Sequence, residues 1–256
     1  MRTRNNCQNS NAQHDTYLSC VDNLKSVEYA IEDTFSIIKA KISKKQETTD
    51  HFDSSIKLLV LQLGIWSEAR LNKLLNEYDN NSQKKLFTEL ELKLIKLNKQ
   101  KIEQWKTIIE LSFRKHYGIY IGHELKEENL GLEKFNQYTN IIEIVENHLK
   151  SIIEVRNKLA HGQWVCPLND KGNLSSNSNF QELKNDNIVS LEKKYQILKY
   201  LTQTLHDLMI SKATFERDFQ KYYKEIDDRR VFLNKHVNKE YLKVIQKLQK
   251  KKVYRR

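Results

Sequence analysis

Six Gly and one Pro in 256 residues leave this chain few places to reverse direction. A sandwich or barrel of short strands needs turn residues at every reversal, so this scarcity argues against an all-β architecture and for long helices. A chain of this length is one large domain or two small ones, with room for a sizeable core and no need of staples.

Apolar residues recur at helical spacing in five long stretches. The first runs from Asp15 to about Lys45 and the second from about Asp50 to Tyr78. Asp79-Asn80-Asn81-Ser82 reads as a turn whose Ser82 can cap the helix after it. The third carries Leu86 through Phe113 and fails near Tyr117-Gly118, before a loop bracketed by Gly118, Gly122 and Gly131. The fourth spans about Leu132 to Ala160, and the fifth runs from Leu191 through Met209 toward Phe219. Residues 1–15 are rich in Asn and Gln without a period and read as a disordered lead-in. Residues 165–187 read as loop. The expected fold class is all-α: an up-and-down bundle of about five long helices over residues 16–220, plus a basic C-terminal helix over 221–256.

The fourth stretch has the most regular pattern. Phe135, Tyr138, Ile142, Val145, Leu149 and Ile152 follow steps of three and four, and the next positions of that seam are 156 and 159. Position 159 is Leu, but 156 is Arg. A guanidinium on a bundle-facing stripe is costly unless it is paired or faces a wet cleft, so the break marks a functional candidate.

Charge is also uneven. Of the net +11, +9 falls in the last 36 residues, where 13 Lys and Arg meet four acids. That excess points to an anionic partner. The three cysteines (Cys7, Cys20 and Cys166) form no C-x-x-C pair and no zinc knuckle, and no carboxylate or His/Cys cluster has metal-ligand spacing. The N-terminus lacks an apolar signal core, and the longest apolar run, Leu58 to Leu61, is too short to span a membrane. These features describe a reduced, soluble, cytoplasmic protein without cofactor or metal.

The fourth stretch ends Ile153-Glu154-Val155-Arg156-Asn157-Lys158-Leu159-Ala160-His161-Gly162-Gln163-Trp164. Asn157 and His161 are i, i+4 and share a helix face, where Asn157 can orient the imidazole. Arg156 and His161 are i, i+5, about 140° apart on an ideal helix, so a straight helix does not converge them on one phosphate. Gly162 allows the helix to break at the histidine. Phosphodiester cleavage by attack of an internal hydroxyl needs a proton acceptor for that hydroxyl, a proton donor for the leaving oxygen, and a cation for the charge on phosphorus. A histidine near pKa about 6.5 serves as acid or base at neutral pH. A guanidinium donates bidentately to phosphoryl oxygens. His161 is therefore the candidate general acid/base, Arg156 the phosphate clamp and Asn157 the orienting residue.

The string resembles the HEPN family of helical nucleases, marked by Arg, a polar residue, a few more positions, then His. It is most similar to bacterial defence- and toxin-associated members, in which R-N-x-L-A-H-G ends a core helix. The resemblance is specific over about a dozen residues. It implies a metal-independent endoribonuclease acting on RNA, a homodimer with a composite active site, a setting in antiphage abortive infection or as a toxin, and an antitoxin or defence-system partner. Ten Arg and eight His give about one loose Arg-to-His match by chance. Arg230–His236 and Arg229–His236 are such matches, without a polar residue after the Arg. Some family members carry a modifiable Tyr two residues after the His; here that position is Gln163.

Other residues have an ordinary reading beside the functional one. Arg and His near a helix C-terminus commonly serve only the dipole and the last carbonyls. Trp164 can stack on a base, though a Trp just past a helix end is more often packing. Lys158 and the tail lysines Lys250, Lys251 and Lys252 can hold phosphates. The amphipathic segment 241–248 can equally meet a membrane surface or an acidic groove. Glu68 can reach the site from a neighbouring helix, although a surface pair with Asn72 or Arg70 is the expected arrangement. The alternative to a nuclease is a non-catalytic helical module that binds RNA or a protein.

Overall fold

The structure is a computed structural model, describing residues 2–79, 84–169, 171–174, 180 and 183–250, with side chains from residue 14 onward except at 79 and 84. The described residues form a helical bundle. Its elements are α1 (Arg2–Ser43), α2 (Asp50–Leu75), a ribbon of β1 (Tyr78–Asp79) and β2 (Lys84–Lys85), α3 (Glu89–Leu97), α4 (Lys101–Tyr117), α5 (Glu127–Leu130), α6 (Leu132–Ile144), α7 (Lys150–Ala160), α8 (Ile188–Ile210), α9 (Lys212–Lys235) and α10 (Val237–Lys250). Helix α1 starts inside the segment expected as lead-in. No side chain before His14 is described, and the expected Ser82 cap lies outside the described residues.

Helix α2 is the central element, packed against α1, α7 and α8. Its start is set by Thr49, whose hydroxyl accepts from the Phe52 amide at 3.2 Å, with Asp50 and Asp53 in the first turn where the helix dipole favours anions. It buries Leu59, Leu63, Trp66 and Leu71. Trp66 stacks edge-on against Tyr195 of α8 and donates to Glu28 of α1 at 3.0 Å, so one residue ties three helices. A second aromatic centre joins Phe113 of α4, Tyr138 of α6 and Phe215 of α9.

Three boundaries differ from expectation. The third stretch is two helices, because the chain leaves helical geometry between Asn98 and Gln100. Helix α3 has its own start, a capping box in which Thr88 and Glu91 satisfy each other's backbone amides. The fifth stretch stops at Ile210, where Ser211 caps α9. The boundary expected at 220–221 falls inside α9, which runs unbroken through it and buries Phe215, Phe219 and Ile226. Helix α10 then folds back on α1 and α8. Val244, Ile245 and Leu248 lie half-buried against the core, and Gln249 donates to Glu47 at 2.8 Å.

The fourth stretch is helical over 132–160, but Val145–Leu149 form a π-turn between α6 and α7. Its wider loop takes up an extra residue and shifts the phase. Before it, the buried positions are Gln137, Ile141 and Ile144, with Phe135, Tyr138 and Ile142 only half-buried. After it they are Ile152, Ile153, Val155 and Leu159. Arg156 thus sits at the edge of the buried stripe.

Candidate functional site

Helix α7 ends at Ala160, and His161 follows as its C-cap with φ −89° and ψ 19°. Gly162, at φ 77°, closes the helix. Its amide donates to Leu159 O at 3.1 Å, and the Gln163 amide donates to Lys158 O at 3.0 Å. Glycine takes this left-handed closure without strain. His161 is exposed, and among the described residues no hydrogen bond or ion pair holds its ring.

Arg156 is held much more firmly. Its Nη2 pairs with Glu68 of α2, and its Nη1 donates to Asn157 Oδ1 at 2.9 Å. Nε is buried with no partner among the described residues. The stem of Arg156 lies directly on Gly64: a Cβ built there would come within 2.4 Å of both Arg156 Cβ and Cγ. A glycine inside a helix costs roughly 0.5–1 kcal/mol relative to alanine, and here the missing side chain is the space the arginine occupies.

Two expectations are corrected. The Asn157 side chain engages Arg156, because Oδ1 lies within reach of the guanidinium fork; its link to His161 is the backbone bond from His161 N to Asn157 O at 3.2 Å. Glu68 pairs with Arg156 and not with Asn72 or Arg70. Arg70 instead enters the packing between helices, where burial pushes its pKa down and Glu28 and Glu77 partly offset this. Gly64 and Glu68 are the residues that sequence reasoning missed or undervalued. The available signal was a glycine inside an apolar helical run with a carboxylate four residues on.

The remaining candidates are dispersed. Lys158 turns toward the following loop and donates to Leu168 O at 2.5 Å, while Gln163 accepts from the Leu168 amide at 2.7 Å. Trp164 is half-buried against the core. Lys250 ends α10, and Lys251 and Lys252 lie outside the described residues. Arg229 and Arg230, the chance matches, are bonded to Glu225 at 2.7 Å and Glu143 at 2.6 Å.

Among the described residues, cavities flank this helix on more than one side. One, of about 490 Å³, opens beside Arg156 between α2, the α3–α4 junction and α7. Another, of about 510 Å³, lies at the π-turn. There burial lowers the His148 pKa to about 4, helped by Arg230 and Lys194 and opposed by Glu143. Among the described residues, no group of three or more His, Cys, Asp or Glu is placed to hold a metal ion. No helix among the described residues is long and apolar enough to cross a membrane.

No family model, curated protein or solved structure matches this chain.

Proposed function

We propose that this chain is a HEPN-like, metal-independent endoribonuclease, active as a homodimer, with a role in antiphage defence or as a toxin. One observation carries the proposal: the C-terminal turn of α7 presents a pinned guanidinium and an exposed imidazole in the R-N-x-L-A-H-G string. Glu68 and Asn157 fix two edges of the Arg156 guanidinium, so the clamp is pre-oriented before RNA arrives. His161, on the helix cap, has an unencumbered ring for proton transfer.

In this reaction neutral His161 takes the proton of the 2′-hydroxyl. The 2′-oxygen forms a bond to phosphorus and the bond to the 5′-oxygen breaks. The imidazolium of the second copy supplies the proton for the leaving oxygen. Arg156 offsets the charge that builds on the phosphoryl oxygens. The products are a 2′,3′-cyclic phosphate and a 5′-hydroxyl. A second copy across a two-fold answers the geometric problem of one straight helix, on which positions i and i+5 lie about 140° apart.

The test is cleavage of an end-labelled mixture of tRNA and mRNA in EDTA. Wild type is expected to leave 2′,3′-cyclic ends, while His161→Ala and Arg156→Ala each lose on the order of a hundredfold or more in rate. Arg156→Lys is expected to restore little, because an ammonium lacks the planar fork. Cleavage persisting in both alanine variants overturns the site assignment. A wild type that binds RNA without cutting it points to the non-catalytic module.

A further inference from the structure

The cleft beside Arg156 has a chemistry of its own. Lys99 and Lys101 enter it from the α3–α4 junction and Lys150 from α7, alongside Arg156, against the carboxylates of Glu68 and Glu154. Four cations against two acids leave the lining at +2. Glu68 is already bound to Arg156, and Lys150 is 3.0 Å from Glu146. Lys99 and Lys101 make no ion pair among the described residues, and Lys101 reaches only Gln104, at 3.3 Å. Helix α4 begins at this edge, where its N-cap Gln100 makes no side-chain cap bond, which adds the positive end of a 17-residue helix to the same field.

The geometry points to a bound strand: we infer that this cleft takes the RNA backbone on the α4 side of Arg156, with Lys99, Lys101 and Lys150 holding the phosphate next to the one Arg156 clamps. The inference rests on the nuclease reading for Arg156. A strand fits better than a free anion because Lys150 and Arg156 are six residues apart on one helix, about 9 Å along its axis. With the Arg156 guanidinium held by Glu68 and Asn157, that spacing suits neighbouring phosphates of one strand, one on Arg156 and the next on the lysines. The cavity is within the roughly 300–1,000 Å³ of small-molecule sites, enough for one nucleotide unit between those two contacts.

The experiment is fluorescence anisotropy of a 2′-O-methyl RNA 20-mer, which cannot be cleaved, across a salt series with the full-length protein. Replacing Lys99, Lys101 and Lys150 together by Gln is expected to weaken binding on the order of tenfold at about 0.1 M salt. The slope of log K against log salt should fall by about 0.7, the share of the one lost phosphate contact on a single strand. Replacing the same three by Arg should restore both. The control removes equal charge from α10 (Lys239→Gln, Lys243→Gln, Lys247→Gln) and is expected to change affinity less than about threefold. Unchanged affinity in the cleft triple overturns the inference, as does an equal loss in the α10 triple or a wild type that does not bind. Cleavage separates the two claims. A cleft triple that loses affinity in a protein that never cuts RNA keeps the cleft and overturns the nuclease. A His161-dependent nuclease whose cleft triple binds normally overturns only the cleft.

Discussion

The contact between Gly64 and Arg156 makes the candidate site a property of two helices. Any side chain at 64 meets the first two carbons of the arginine, atoms too near the backbone to swing aside. Gly64→Ala is therefore expected to destabilise the fold by about 1–3 kcal/mol, as overpacking does, and to displace the guanidinium from Glu68. A thermal melt reads the first effect. On the proposed nuclease reading, the second appears as a loss of RNA cleavage larger than the loss of folded protein. Arg156 itself stands out in the sequence because it interrupts an apolar seam. Its partner stands out less, because Glu68 lies 88 residues away and only the glycine four residues before it marks that stretch of helix. Pairing across helices follows from packing, which one-dimensional spacing does not contain.

At the scale of elements, the ends that carry their own chemistry were readable: Gly118 and Gly162 at left-handed φ, which close α4 and α7. The break between α3 and α4 was not, because Asn98-Lys99-Gln100 contains neither Gly nor Pro and the apolar period continues across it. The π-turn was hidden for the opposite reason, since a seam spaced in threes and fours runs through it smoothly while the buried face rotates. Helix α10 has the apolar stripe of a surface-binding helix, yet α1 and α8 already occupy that stripe. Replacing both Val244 and Leu248 by Asp is expected to release it, at a cost of about 1–3 kcal/mol for partly buried residues of this size. Limited proteolysis would then cut near residues 236–239, while wild type resists. If wild type is cut there as readily, α10 is not docked.

The whole molecule carries a stability term set at the π-turn. His148 is held neutral by burial and by the cations Arg230 and Lys194, with a pKa of about 4 against 6.5 when exposed. The unfolded chain therefore binds more protons than the folded one between those values. The stabilisation is complete above about pH 6.5 and is lost as pH falls toward 4. Between pH 7 and 5 the loss is about 2 kcal/mol, or roughly 4–8 °C in Tm for a chain of this size. His148→Gln should flatten that part of the profile. A variant whose melting temperature falls as steeply as wild type would place the acid sensitivity elsewhere. Glu146, held below its ordinary value by hydrogen bonds from Lys106 and Lys150, contributes in the same direction at lower pH.

The close approach of α2 and α7 also has a genetic consequence. With folding free energies of about 5–15 kcal/mol, a chain that loses 1–3 at position 64 still folds and accumulates. In a library selected for survival of overexpression, most escape mutants of a harmful enzyme are truncated, insoluble or altered at the reacting residues. On the proposed nuclease reading, codon 64 should supply a different class, full-length and soluble with both Arg156 and His161 intact, in which one added methyl group separates the folded state from the working one.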